Sequence, residues 1–173
     1  MQSEIGLIAN AISKTPVMKR KTKEYLSEMN AQEKRFGALY RQAALTFGMS
    51  ECAMWVLYFL VCADKLLTQQ ELTEQMMFPK QTINSAVANL AQKGYLELRT
   101  IPEMRSSKHL VLSPEGEVLA RATVKKMRTA EERAVCALGQ EKIEQFIALH
   151  DEFLSQIYAE LEKTGIISKK EKI

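Results

Sequence analysis

Cysteine and histidine are scarce in this chain of 173 residues, with three of the first and two of the second. Cys52, Cys62 and Cys136 show no CxxC spacing, and His109 and His150 lie far apart, so neither a disulfide framework nor a local metal site is expected. A glycine-rich phosphate loop is missing, as is any His/Cys/carboxylate cluster of catalytic spacing. Glu131 and Glu132, adjacent on a helix, point in different directions and read as solvent-exposed. The expectation is a protein that is not an enzyme and uses no cofactor and no metal. Long apolar runs are lacking too: the longest, Ala53 to Ala63, falls far short of the roughly 20 residues that span a bilayer. No basic segment followed by an apolar run opens the chain, which points to a soluble, cytoplasmic protein with no membrane partner. Nor is there a large excess of one charge. Lys plus Arg at 24 against Asp plus Glu at 21 leaves +3, which permits a nucleic-acid partner without pointing to one.

The hydrophobic residues are present in force, 46% of the chain, enough for one folded domain with a sizeable core. From Glu24 the positions Leu26, Met29, Phe36, Tyr40, Ala43 and Phe47 recur three, four or seven apart, the stripe of a long amphipathic helix that stops at Gly48. Ahead of it, Met1 to Lys23 reads as a short helix and then a linker holding the solvated basic run Lys19 to Lys23. Ser50 offers an N-cap for a second helix to about Ala63, apolar on nearly every face and therefore central. Ser113-Pro114-Glu115 is a strong helix start, and Gly139 interrupts the helical region that it opens. Beyond Gly139, Ile143, Phe146, Ile147, His150, Phe153, Leu154, Ile157, Tyr158 and Leu161 form a near-heptad seam that fades at Gly165.

The segment between these helices carries the functional reading. Thr68-Gln69-Gln70-Glu71 has the pattern of a capping box, and the short helix it opens, with Leu72 and Met76 inward, is ended by Pro79. A second helix runs to Lys93 and stops at Gly94, burying Ile83, Ala86, Val87 and Leu90. Lys80, Gln81, Thr82, Asn84, Ser85, Ala88 and Asn89 remain outside, small or amide-bearing and none acidic, so this face suits a major groove about 12 Å wide. Tyr95 to Arg99 and His109 to Leu112 then read as two strands of a hairpin whose tip places Arg105 and Lys108 within reach of a DNA backbone or minor groove. The order of these elements is that of a winged helix-turn-helix, in a fold that is mainly α. The candidate DNA-binding set is Gln69, Lys80, Gln81, Thr82, Asn84, Ser85, Asn89, Arg105 and Lys108. A protein-docking module without sequence-specific DNA binding is the alternative, suggested by the low basicity of the wing.

Leu67 to Leu72, Thr82 to Leu96 with its Lys-Gly-aromatic-Leu ending, and Leu112-Ser113-Pro114-Glu115-Gly116 together resemble the MarR family of bacterial regulators, over about Tyr25 to Leu161. The resemblance implies a homodimer whose long N- and C-terminal dimerisation helices interlock, leaving two winged helices to read a pseudo-palindromic duplex as repressor or activator. It divides the chain into an N-terminal segment and dimerisation helix (1–48), a DNA-binding region (49–113), and C-terminal dimerisation helices with a basic tail (114–173). It also implies a small lipophilic or phenolic effector, for which Trp55, Tyr58 and Phe59 are the candidate lining, although an aromatic central helix is more often plain core. Cys52 and Cys62, ten residues apart on one helix, are too distant for a mutual disulfide and read as inert buried thiols. The wing departs from the family: Glu103-Met104-Arg105 stands where Asp-x-Arg is usual, and Ser85 and Asn89 stand where many members carry arginine.

Overall fold

The computed structural model describes residues 19–100 and 108–168, with side chains from Lys21 onward. The chain divides after Glu51 into two compact units. The first holds helix α1 (Lys19–Thr46). The basic run is thus its opening turns and not a linker, because nothing between Lys19 and Glu24 breaks a helix. Along α1, Tyr25, Leu26, Phe36, Leu39 and Leu45 stay largely exposed, and Phe36 meets Tyr40 edge-on at 4.9 Å. The helix ends through bonds from the Phe47 and Gly48 amides to the carbonyls of Ala43 and Leu45.

α2 (Glu51–Cys62) comes next, then β1 (Leu67–Thr68), α3 (Gln69–Gln75), α4 (Lys80–Gln92), β2 (Leu96–Thr100), β3 (Lys108–Leu112), α5 (Pro114–Ala122), α6 (Val124–Leu138) and α7 (Gln140–Lys163). α2 is the central helix only over its first half: Met54, Val56 and Leu57 are fully buried, while Tyr58 to Val61 are half-buried. Cys62, at its end, is exposed, which corrects the expectation of an inert buried thiol; Cys52 is buried as expected. The core of the second unit is completed by Leu67, Leu72, Ile83, Leu110 and Val124. Among the described residues no single helix is long and apolar enough to cross a membrane.

The sheet is antiparallel with strand order β1-β3-β2. β2 and β3 are the expected hairpin, paired from Leu96↔Leu112 to Thr100↔Lys108. β1 has no counterpart in the sequence pattern; its two residues pair Leu67↔Leu110 and Thr68↔His109, so β3 is the central strand. His109 and Leu110, on opposite sides of the strand, are both buried, and His109 Nδ1 has no hydrogen-bond partner.

Two sequence features fix where the hairpin meets the helices. Gly94 has φ +76°, the left-handed geometry that lets the chain leave α4 and turn into β2. Ser113 caps α5: its Oγ accepts from the Gly116 amide at 2.9 Å and donates to the Gly94 carbonyl, while its own amide donates to the Tyr95 carbonyl at 3.1 Å. The start of α5 comes so close to the strand that a Cβ at Gly116 would lie 2.0 Å from the Tyr95 oxygen. The Lys-Gly-aromatic-Leu and Leu-Ser-Pro-x-Gly sequences are thus two halves of one junction. Past α5 the helix breaks at Thr123 (φ −122°, ψ −94°) before α6 begins, a break that no glycine or proline announces.

Candidate nucleic-acid interface

α3 begins with the capping box complete. The Glu71 amide donates to Thr68 Oγ1 at 3.1 Å and the Thr68 amide to Glu71 Oε2 at 2.8 Å. Lys65 adds an ion pair to the same carboxylate, and this contact with the two Thr68 donors holds the Glu71 carboxyl down at about 2. Leu72 and Met76 are buried as expected; Met76 is already extended, and Pro79, unable to extend a helix backward, stands as N-cap of α4. In the turn between the helices Met77 is 94% exposed.

α4 buries Ile83, Ala86, Val87 and Leu90, four positions of one stripe, and turns Lys80, Gln81, Thr82, Asn84, Ser85, Ala88 and Asn89 to solvent. Its outward face is therefore the one expected, polar and without a carboxylate. Two contacts order it: Ser85 Oγ donates to the Gln81 carbonyl at 2.9 Å, and Gln69 Nε2, from the start of α3, donates to Asn84 Oδ1 at 2.7 Å. Sequence spacing alone could not show that Gln69 and Asn84 meet, since they are fifteen positions apart on different helices.

Lys108 is exposed at the first position of β3, where it pairs with Thr100 at the tip end of the hairpin. Arg105 and the rest of 101–107 lie outside the described residues. Arg99, also exposed on β2, is paired with Glu97 of its own strand at 2.8 Å.

Residues 47–105 match the model of the MarR family. The winged-helix segment is of the MarR family. Solved MarR structures extend the likeness in fold beyond that segment. A MarR family regulator from Neisseria meningitidis superposes with a TM-score of 0.66 at 17% identity, over 81% of this chain and 98% of that one. A MarR/EmrR family transcriptional regulator from Acinetobacter sp. ADP1 gives 0.61 at 15% identity, over 80% and 97%. A MarR family transcriptional regulator from Silicibacter pomeroyi gives 0.57 at 22% identity, over 75% and 86%. No match was found among curated proteins.

Within α2 the aromatic candidates pack on one another: Trp55 lies edge-on to Tyr58 at 5.3 Å and 6.4 Å from Phe59. The Tyr58 hydroxyl donates to Glu131 Oε2 at 2.6 Å and accepts from Arg128 Nη1 at 3.1 Å, tying α2 to α6. Burial, then the Glu131 contact, pushes the phenol up to about 12, and contact with Tyr58 and Glu132 raises the Arg128 guanidinium. Glu131 is accordingly half-buried and not the solvated residue expected, whereas Glu132 is exposed and pairs with Arg128. A cleft of about 330 Å³ runs along the α5–α6 region beside Arg121, Lys125, Lys126 and Arg133, and another of about 510 Å³ lies on α1 beside Lys34 and Arg41; neither is lined by the aromatic trio. Among the described residues no His, Cys, Asp and Glu group could hold a metal ion.

Proposed function

We propose that this chain is a transcription regulator that binds double-stranded DNA with sequence specificity, as a homodimer on a pseudo-palindromic site. The outward face of α4 carries the reading. A helix delivered by a tight turn, polar along one side and free of carboxylates, fits the major groove, where amides and hydroxyls meet the donors and acceptors of base edges. In this reading Thr82, Asn84, Ser85 and Asn89 face bases. Gln69 and Gln81 flank them. Lys80 and Lys108, with Arg105, take phosphates and fix the register without carrying sequence information.

The homodimer is supported by apolar surface that its own unit leaves uncovered. α7 has no buried residue, and Phe146, Ile147 and Leu154 are each at least half exposed along its near-heptad seam. Such a seam asks for another helix. α1 carries a second exposed stripe, with Phe36 and Leu39 its most prominent members. Two winged helices related by a two-fold axis would engage half-sites about one helical turn apart. A lipophilic or phenolic effector seated at Trp55, Tyr58 and Phe59 would disturb the Tyr58 link between α2 and α6; titration of the single tryptophan's fluorescence with a simple phenol tests this, and an unchanged spectrum rejects it.

Selection of bound sequences from a random duplex library at two salt concentrations tests the main proposal. Recovery of an inverted repeat, with binding that weakens steeply at the higher salt, is expected. Recovery of unbiased sequence would favour a protein-docking role for the winged helix.

A further inference from the structure

The contact between Gln69 and Asn84 restricts what the outward face of α4 can say to a base. Gln69 is half-buried at the first position of α3, directly after the Thr68 cap, and its carbonyl accepts from Thr73 Oγ1 at 2.8 Å, so its side chain starts from an ordered turn. Its Nε2 donates to Asn84 Oδ1 at 2.7 Å. An asparagine amide has one acceptor oxygen and one NH2 group. With the oxygen turned toward α3, the group that Asn84 presents outward is the NH2, a donor.

An unrestrained asparagine reads adenine by using both ends, accepting from N6 and donating to N7. A donor alone ranks the bases differently. Guanine offers two acceptors in the major groove, N7 and O6; thymine offers O4 alone beside its methyl group, adenine N7 beside a donor, and cytosine only the N4 donor. We propose that Gln69 is a positioning residue that holds Asn84 as a donor, so that the regulator selects guanine at the base Asn84 faces. The inference rests on α4 being the recognition helix.

The test is sequence selection from a random duplex library with the full-length protein and three variants, each checked for an unchanged melting transition. Asn84→Ala locates the position in each half-site. At that position the wild type is expected to choose guanine. Gln69→Ala frees the amide and moves the choice toward adenine, lowering the guanine-to-adenine ratio by roughly 5- to 150-fold, the range of one good bidentate pair. Gln69→Glu, whose carboxylate accepts from the Asn84 NH2, turns the Asn84 oxygen outward and favours bases with an amino donor. The inference is overturned if the wild type chooses any base but guanine there, if Asn84→Ala changes no position, or if Gln69→Ala keeps guanine at an unchanged ratio. A wild type with no sequence preference overturns the proposed function and this inference together, whereas guanine retained in Gln69→Ala overturns this inference alone.

Discussion

Replacing Gly116 by alanine strikes the junction on which the wing depends. The new methyl would meet the Tyr95 carbonyl oxygen at 2.0 Å and its carbon at 2.9 Å, well inside ordinary contact, and both are backbone atoms that no rotamer change can move. α5 would have to retreat, stretching the three Ser113 bonds to Gly116, Gly94 and Tyr95. Overpacking of this kind costs about 1–3 kcal/mol, and the three weakened hydrogen bonds together about 2–3 kcal/mol, against a gain of up to roughly 1 kcal/mol from alanine's better helix propensity. The net loss is about 2–5 kcal/mol, a large part of a typical domain's stability. Urea unfolding followed by circular dichroism at fixed protein concentration would read it as a lowered midpoint. Gly37→Ala is the control: nothing lies within 4 Å of its added methyl, inside α1, so stability should rise by up to about 1 kcal/mol. A loss below about 1 kcal/mol in Gly116→Ala would refute the claim that this glycine is required by close approach.

Glu71, held at about 2 against an ordinary 4.5, supports α3 fully above pH 4.5 and loses that support as pH falls toward 2; Glu71→Gln should flatten the acid unfolding profile across that window, and parallel profiles would contradict it. Tyr58 titrates in the opposite sense: its folded-state value near 12, above the ordinary 10, means that stability holds below pH 10 and falls as the phenol ionises toward 12. Tyr58→Phe should cost about 1 kcal/mol and remove the last phase of an ultraviolet tyrosine titration, and a titration that keeps that phase would sink the assignment. On α7, the double variant Ile147→Glu, Leu154→Glu should sediment as a folded monomer, and a persistent dimer would place the homodimer interface elsewhere.

Local chemistry made much of this fold legible in the sequence. Thr68 with Glu71, Pro79, Gly94 and Ser113-Pro114 each act within a few residues, and each fixes a boundary observed within a residue or two of where its chemistry puts it. The polar face of α4 was legible for a related reason: the 3.6-residue repeat of its buried stripe leaves the other side chains nowhere to point but outward. The features hidden from sequence reading depend on partners distant along the chain. β1 is two residues long, too short for any alternation to register, and exists because β3 lies beside it. Glu131 reads as a solvated charge until Tyr58, seventy-three positions away, is brought against it. The meeting of Gln69 and Asn84 is of the same kind.

The central claim is that α4 reads sequence, and the most direct measurement is the affinity of the purified protein for its selected duplex against a scrambled duplex of equal length and composition, at physiological salt. The account predicts that the selected duplex binds at least about 1,000-fold more tightly and that Lys80→Ala weakens both duplexes alike, with the salt slope falling by about one. Equal affinity for the two duplexes would contradict it.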